Sequence, residues 1–378
     1  MKVLIVYHYV AHYRVPIFNQ LIANNTEHEY HLAASNKANQ ENINIVAMED
    51  ICQGSARVHK IENIWISKNI LWQKNLLKLV IKEDFDVVVL LGNMYFISNW
   101  LVMILAKIKG FKTLQWTHGL LKPDNNFLKY IRSSYYRLSD GLMLYGERAI
   151  SLLEDIGIKK NSMTVIYNSL DYEKQKKIIN KGVDVAESPW QKNYDIRCIF
   201  TGRLRSDRRL DLLVDAISFL KKHSFEVGLL IVGGGPLEEE LKRMASEKKC
   251  LDNIIFYGNC YEEETLYSLF KHSDLCVVPG IVGLNCIHAM TYGVPVLTSD
   301  LFESHGPEFE AIDPKQGVGG FYRYGDARDL ASKIKDFSSS EVDLVGIKSS
   351  CKLIIEANYN PVMQAKRIDE AVNNVFNP

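Results

Sequence analysis

Near-continuous apolar stretches, each followed by a helical pattern, limit what this chain can fold into more than any other feature. KVLIVYH, EYHLAAS, DVVVLLG, KTLQWTHG, GLMLYG and SMTVIYNS succeed one another through the first half, with helical segments between most of them. The first such helix is predicted from about Val15 to Ala23. A strand that is apolar along its whole length is buried on both faces, and alternation of such strands with helices makes a parallel sheet covered on both sides. The polar tract DYEKQKKIINKGVDVAESPWQKNYD, residues 171–195, breaks the rhythm and reads as a linker. A second alternation then begins with RCIFTGRL, EVGLLIVGGG, NIIFYGN, DLCVVPG and VPVLTSD. The fold class is therefore α/β, with two doubly wound sheets in series, a comfortable fit to 378 residues. The expected domains are 1–180 and 181–357. An amphipathic helix within 358–378, NPVMQAKRIDEAVNNVFN, is expected to pack back on the first.

Charge and cysteine content narrow the function classes. Lys+Arg and Asp+Glu both number 45, so no global basic field is available for nucleic acid. Residues 1–180 hold 22 Lys and Arg against 16 Asp and Glu. That surplus suits an anionic membrane surface, and chance asymmetry of solvated faces produces it as readily. The seven cysteines are odd in number and scattered, with no C-x-x-C pair, which points to a reducing cytoplasm without a disulfide framework or zinc site. MKVLIVYHYVAHYR lacks the long apolar core and cleavage site of a signal peptide. VVVLLGNMYFISNWLVMILA, residues 87–106, is interrupted by Gly92-Asn93 and Ser98-Asn99. It reads as buried strand, loop and amphipathic helix, not as a membrane span.

Doubly wound sheets bind ligands outside the carboxyl ends of their strands, so the loops just after strands are the candidates. FTGRLRSDRRLDLL places Arg203 after a strand and Arg208-Arg209 at a helix start, where dipole and guanidinium both favour an anion; an exposed basic helix start is the plain alternative. LLIVGGGPLEEELKR turns tightly at Gly233–Gly235, with Gly234 at its centre, but Glu238 stands where a dinucleotide fingerprint needs its third glycine. LQWTHG puts His118 at a strand end, and YVAHYR offers His12, Tyr13 and Arg14. Asp84-x-Asp86 precedes its strand, the wrong end for a metal site. In VVPGIVGLNCIHAMTYGVPVL, residues 277–297, a turn of small residues opens a helix at Gly283-Leu284-Asn285, whose free N–H groups suit an anion. His288 lies a turn further on, either reaching a sugar hydroxyl or bonded to a neighbour as an ordinary helix histidine.

Taken together, GRLRSDRR, VGGGPLEEEL, FYGN…LYSLFKHSDLCVVPG and GLNCIHAMTYGVPVL resemble the retaining glycosyltransferases of family 4, the glycosyl transferases group 1 type. YRVPIF, WTHG and VIYNSLD match weaker signatures of the same family. The resemblance covers nearly the whole chain and is specific over 197–325. It implies two Rossmann-like domains facing across a cleft (GT-B), the first binding the acceptor and the second the nucleotide sugar. His118 would contact the donor sugar near the reacting carbon. Arg203 and Arg208, the latter where the family usually has Lys, would hold the donor diphosphate together with the amides of Gly283, Leu284 and Asn285. The backbone at Asn259-Cys260 would contact the base. From the residues themselves, Arg14 is expected to meet a donor phosphate or to be a surface cap, and Gly234 to form a tight turn beside the donor. Glu308 in GPEFEAI aligns with a Pro-Glu segment beside the donor.

The departure is at the family's two glutamates, eight positions apart, which fall on Gly280 and His288. Gly280 is expected to leave backbone and space where an acid usually touches the donor sugar, and His288 to take over the grip on the ribose. The resemblance implies transfer of a hexosyl unit from a UDP- or GDP-sugar to an acceptor hydroxyl with retention, without metal or other cofactor, in bacterial surface-glycan synthesis. The acceptor would be a saccharide or a polyprenyl-linked saccharide. The segments ENIWISKNILWQKNLLKLVIK and ISNWLVMILAKIKGFK suit contact with the cytoplasmic face of the inner membrane; ordinary amphipathic core helices are the alternative. The loss of both glutamates leaves a non-catalytic nucleotide-sugar binder, and less so an epimerase, as rival readings.

Overall fold

Each apolar run becomes a strand. In the computed structural model, which describes residues 1–23, 27–37, 45–123, 126–182, 187–338 and 343–376, the chain divides into two units. One is Met1–Leu170 with Asn360–Pro378, the other Asp171–Tyr359. The first holds β1 (Lys2–Val6), β2 (Glu29–Ala34), β3 (Val58–Lys60), β4 (Glu62–Trp65), β5 (Leu71–Lys74), β6 (Val87–Leu91), β7 (Lys112–Thr117), β8 (Gly141–Leu144) and β9 (Met163–Val165). The second holds β10 (Ile196–Thr201), β11 (Val227–Val232), β12 (Ile254–Gly258), β13 (Leu275–Val278), β14 (Val296–Ser299) and β15 (Gly319–Tyr322). The helices of the first unit begin with α1 (Val15–Ala23), α2 (Leu76–Lys82), α3 (Ile97–Lys109), α4 (Asn126–Leu138) and α5 (Arg148–Glu154). The second unit carries α6 (Tyr172–Lys181), α7 (Leu210–Lys222), α8 (Glu238–Glu247), α9 (Glu263–Lys271), α10 (Leu284–Thr291), α11 (Ala327–Asp336) and α12 (Leu344–Asn358). The chain then returns to the first unit as α13 (Pro361–Asn374).

The first sheet runs β3-β2-β1-β6-β7-β8-β9 and the second β12-β11-β10-β13-β14-β15, with every pairing parallel. Both are doubly wound, so the strand order reverses at one point in each: between β1 and β6, and between β10 and β13. Loops leaving those four strands diverge and open a crevice. Alternate residues of β1 and β6 serve the two faces. Val3, Ile5, Val87 and Val89 pack with α1 and with Ala365, Ile368 and Val372 of α13. Leu4, Val6, Val88 and Leu90 pack with α2, α3 and α5. Asp86 caps the amino end of this sheet, accepting from the Lys2 N–H at 2.7 Å.

Two segments differ from expectation. The tract from 171 begins as a helix, α6, which belongs to the second unit and moves the division of the chain to Leu170. Asp171 caps it by accepting from Lys174 N–H, and only Gln175 and Ile178 are buried, too sparse a stripe to stand out among lysines. Residues 183–186 of that tract lie outside the described ones. Further on, Trp190 donates to the His272 carbonyl at 2.7 Å, so the end of the tract is packed. In the second segment, ENIWISKNILWQK forms the antiparallel pair β4–β5 in place of a helix. Ile64 and Trp72 oppose each other across it.

Candidate active site

In the second unit the loop after β10 is held by glycines. A Cβ on Gly235 would lie 2.5 Å from Leu204 O, and one on Gly233 would lie 2.8 Å from Gly202 C. Leu204 N–H donates to Gly234 O at 3.1 Å. The glycine turn is therefore a docking surface for Gly202–Leu204. A Cβ on Gly234 would sit 3.0 Å from the Asn259 side-chain nitrogen, so Gly234 and Asn259 are neighbours. Cys260 points its thiol at Glu262 O, and burial pushes that thiol up.

The turn after β13 is built against this same loop. Gly280 N–H donates to Arg208 O at 2.9 Å and Ile281 N–H to Asp207 O at 3.0 Å. A Cβ on Gly280 would meet Arg208 C at 2.6 Å and Arg208 Cα at 2.8 Å. The space expected at Gly280 is thus filled by the backbone of its own phosphate-side loop, and no side chain fits there. Arg208 is half-buried and donates to the Ile281 carbonyl, so its guanidinium braces the turn, and burial lowers its pKa. Its Nε is buried with no partner among the described residues. Arg203 is exposed. Arg209 is committed to Asp211 at 2.9 Å and to Tyr324 OH at 3.2 Å.

At the start of α10 the donors are unequally free. Gly283 N–H is taken by the Asn285 side-chain oxygen at 3.0 Å, and the Asn285 side-chain nitrogen donates to Thr201 O at 3.3 Å. Gly283 therefore does not offer the amide expected of it. Val282 N–H donates to Nδ1 of the buried His305 at 3.1 Å, while His305 Nε2 donates to Ser299 O at 2.8 Å. The amides of Leu284 and Asn285 have no partner among the described residues, and they carry the positive end of the helix. Glu308 is buried at the same place: a Cβ on Gly283 would lie 4.0 Å from its Oε2. Burial pushes the Cys286 thiol well up, with Glu308 charge adding to it.

His288 is engaged through one ring nitrogen. Its Nε2 lies 2.7 Å from Glu263 Oε1, which also accepts from Tyr292 OH at 2.5 Å and from Gln175 Nε2 at 3.0 Å. The neighbour reading of His288 is the one its Nε2 follows, and Nδ1 has no partner among the described residues. Burial opposes ionisation of Glu263, but His288 and the other donors win and hold its carboxyl at about 2.

In the first unit the reversal between β1 and β6 opens a cavity of about 690 Å³. Tyr13, Trp65, Trp116, His118, Tyr136 and Tyr145 are among its lining residues. Arg14 is buried beneath it, donating to Asn168 Oδ1 at 2.8 Å and to Tyr145 OH at 2.7 Å. The Tyr145 ring in turn lies 4.5 Å from that of His118. His118 faces the solvent of the cavity, and the enclosing walls, with the Arg14 charge behind them, hold its imidazole below the ordinary value. Trp116 Nε1 and His8 Nδ1 are buried with no partner among the described residues.

His118 and Arg14 thus share one unit, while Arg203, Arg208, Gly234, Asn259, Cys260, Gly283, Leu284, Asn285, His288 and Glu308 share the other. Glu263, His305 and the Asn285 side chain were not legible as site residues. The one available signal was the place of Glu263 in the first turn of a helix just after a strand-end loop.

Residues 186–360 match the sequence model of the family described as glycosyl transferases group 1. The O-antigen biosynthesis glycosyltransferase WbnH of Escherichia coli is 31% identical over 176 residues, which are 44% of this chain and 47% of that protein. The alpha-monoglucosyldiacylglycerol synthase of Streptococcus pneumoniae is 23% identical over 280 residues, 68% of this chain and 58% of that protein. The matches therefore span about half the length of these relatives. Among solved structures, the lipopolysaccharide outer core galactosyltransferase WaaB superposes over 99% of both chains with a TM-score of 0.72 and 16% identity. Anabaena HepE in complex with UDP does so over 99% of this chain and 100% of its own, with a TM-score of 0.70 and 16% identity. The shared fold is that of the GT-B glycosyltransferases.

Proposed function

We propose, from the premise that residues 186–360 belong to the glycosyl transferases group 1 family, that this chain moves a sugar from a nucleotide sugar to an acceptor hydroxyl. The observation that carries the reading is the pair of unpartnered amides, Leu284 and Asn285, at the positive end of α10 and at the reversal point of a doubly wound sheet. A diphosphate is the ligand such a place suits. WbnH and its kind act in O-antigen synthesis, and HepE binds UDP, which supports a nucleoside diphosphate sugar as donor and a surface glycan as product.

The chain's own part in the reaction is electrostatic. As the bond between sugar and phosphate breaks, negative charge grows on the leaving oxygens. The two amides and the α10 dipole are fixed in place to receive it, with Arg203 on the preceding strand-end loop as a further charge, and such preorganised stabilisation is the largest contribution many enzymes make. Arg208 holds the turn that fixes the amides, through Ile281, and adds its own charge beside them. In the first unit, burial and the Arg14 charge keep the His118 imidazole pKa below its ordinary value, which suits it to a hydroxyl ligand as a neutral partner. The leaving phosphate takes the acceptor proton on the face it vacates, which retains the anomeric configuration and requires no carboxylate nucleophile. No metal ligand is assigned in this scheme.

The outer face of α3 supports an acceptor held at a membrane. Ile97, Leu101, Ile104 and Ile108 are 40%, 39%, 45% and 77% exposed at helical spacing, with Lys107 and Lys109 beside them. An apolar stripe edged by lysine suits an anionic lipid surface and so a lipid-linked acceptor. No helix among the described residues is long and apolar enough to cross a membrane. A thermal-shift panel of UDP-, GDP- and dTDP-sugars tests the donor reading, because a ligand of the folded state raises apparent stability. A shift with none of them contradicts it. Binding without turnover for any acceptor favours the non-catalytic reading.

A further inference from the structure

The carboxylate of Glu263 is half used. One oxygen, Oε1, accepts from Tyr292 OH at 2.5 Å and Gln175 Nε2 at 3.0 Å, and lies 2.7 Å from His288 Nε2. The other, Oε2, has no partner among the described residues, and the side chain keeps 18% of its surface open. The three donors come from two helices, since Gln175 is on α6, His288 on α10 and Tyr292 at the end of α10. Such convergence fixes the carboxylate plane, and so the direction of the free oxygen. Gln175 adds a second acceptor: its Oε1 is buried and has no partner among the described residues.

This cluster is short of donors, not of acceptors. A carboxylate oxygen that is ionised, oriented and unpaired is satisfied by a ligand that brings O–H groups. A phosphate is excluded by charge. The place matters as well. Glu263 stands in the first turn of α9, directly after the Asn259–Glu262 loop that leaves the carboxyl end of β12. His288 is one turn into α10, the helix whose first amides are free. The free oxygen therefore belongs to the same end of the same sheet as the diphosphate place.

We infer that Glu263 Oε2 is a hydroxyl-binding subsite of the donor, accepting hydrogen bonds from the hydroxyls of the nucleoside ribose or of the transferred sugar. His288, Tyr292 and Gln175 are positioning residues that hold it. The inference rests on the nucleotide-sugar reading. It supplies, from α9, an acid where position 288 carries none. It also explains why position 288 is a histidine: a second carboxylate 2.7 Å from Glu263 would repel it, whereas an imidazole N–H orients it.

The test is calorimetric titration of the whole chain with UDP, 2′-deoxy-UDP, GDP, 2′-deoxy-GDP and the matching nucleotide sugars. A hydrogen bond to a charged acceptor corresponds to roughly 10- to 100-fold in affinity. If the ribose is the source, wild type binds the ribonucleotide roughly that much tighter than its deoxy form, and Glu263→Gln removes the difference. If the sugar is the source, ribo and deoxy forms bind alike and Glu263→Gln weakens the nucleotide sugar alone. Ribo and deoxy forms binding alike to wild type, with Glu263→Gln changing neither nucleotide nor nucleotide-sugar affinity, overturns the inference and leaves the donor reading standing. Absence of binding by every nucleotide overturns both. Where Glu263→Gln fails to fold, Glu263→Asp, which withdraws the oxygen by one methylene, stands in for it in the ribose arm: loss of the ribo–deoxy difference supports the inference and an undiminished difference overturns it. His288→Ala, which removes one of the three donors that orient Glu263, serves the sugar arm: weakened nucleotide-sugar binding with unchanged nucleotide binding supports it, and no change in either overturns it.

Discussion

Gly280→Ala is the substitution whose outcome the structure fixes most closely. The new methyl would stand 2.6 Å from Arg208 C and 2.8 Å from Arg208 Cα, both backbone atoms, so no side-chain rotation relieves it. Overpacking of this kind costs about 1–3 kcal/mol. Moving the loop aside also breaks Gly280 N–H to Arg208 O and Ile281 N–H to Asp207 O, each about 1 kcal/mol. The second unit should lose about 3–5 kcal/mol, which for a unit of this size lowers its unfolding midpoint by roughly 10 °C. Thermal unfolding followed by near-ultraviolet circular dichroism reads this directly. Gly320→Ala is the control, since a Cβ there meets nothing nearer than 3.8 Å. Gly280→Glu, which restores the acid usual in the family, should destabilise at least as much and recover no activity. A Gly280→Ala protein within about 1 kcal/mol of wild type would refute the claim that backbone occupies this position.

Three further outcomes are expected. Glu263 has a carboxyl lowered from 4.5 to about 2, so its stabilisation is complete above the ordinary value and is lost as pH falls from about 4.5 towards 2. The second unit should lose about 2 kcal/mol on this account between pH 6 and pH 3, a loss that Glu263→Gln abolishes in urea titrations; equal pH slopes contradict it. Arg14→Met removes one donor from Asn168 and one from Tyr145, costs about 2–4 kcal/mol, and raises the His118 pKa in an NMR titration by removing a nearby positive charge. An unmoved His118 titration contradicts that link. Ile104→Glu with Ile108→Glu should leave stability unchanged, because both side chains are exposed, and weaken sedimentation with phosphatidylglycerol vesicles by about tenfold or more. Undiminished binding excludes the α3 face.

The fold was open to reading because both sheets are parallel and covered on both faces, so their strands are apolar throughout and stand out from the polar segments between them. Helix α1 came out at Val15–Ala23, as its pattern indicated. Short or half-exposed elements were less legible. Strand β15 is Gly319-Gly320-Phe321-Tyr322, with two glycines and little apolar pattern, and β4 alternates exposed and half-exposed residues. In the site, positions set by local structure were legible: the glycine turn, the start of α10 and the histidine after β7. Roles that depend on a contact far along the chain were not. Gly280 is small because Asp207 and Arg208 pass over it, and His288 is engaged because Glu263 arrives from α9. No local pattern encodes either meeting. Arg208 illustrates the limit: its charge was evident, but its bond to Ile281 O was not.

The free amides at the start of α10 are proposed to hold the diphosphate of a nucleotide sugar whose sugar the chain transfers. The most direct measurement is release of nucleoside diphosphate from a panel of UDP- and GDP-sugars, with and without a membrane fraction supplying lipid-linked acceptors, followed by NMR assignment of the new anomeric linkage. The account predicts that one donor is consumed only when acceptor is present, with its anomeric configuration retained. Inversion, or consumption of no donor under any condition, contradicts it.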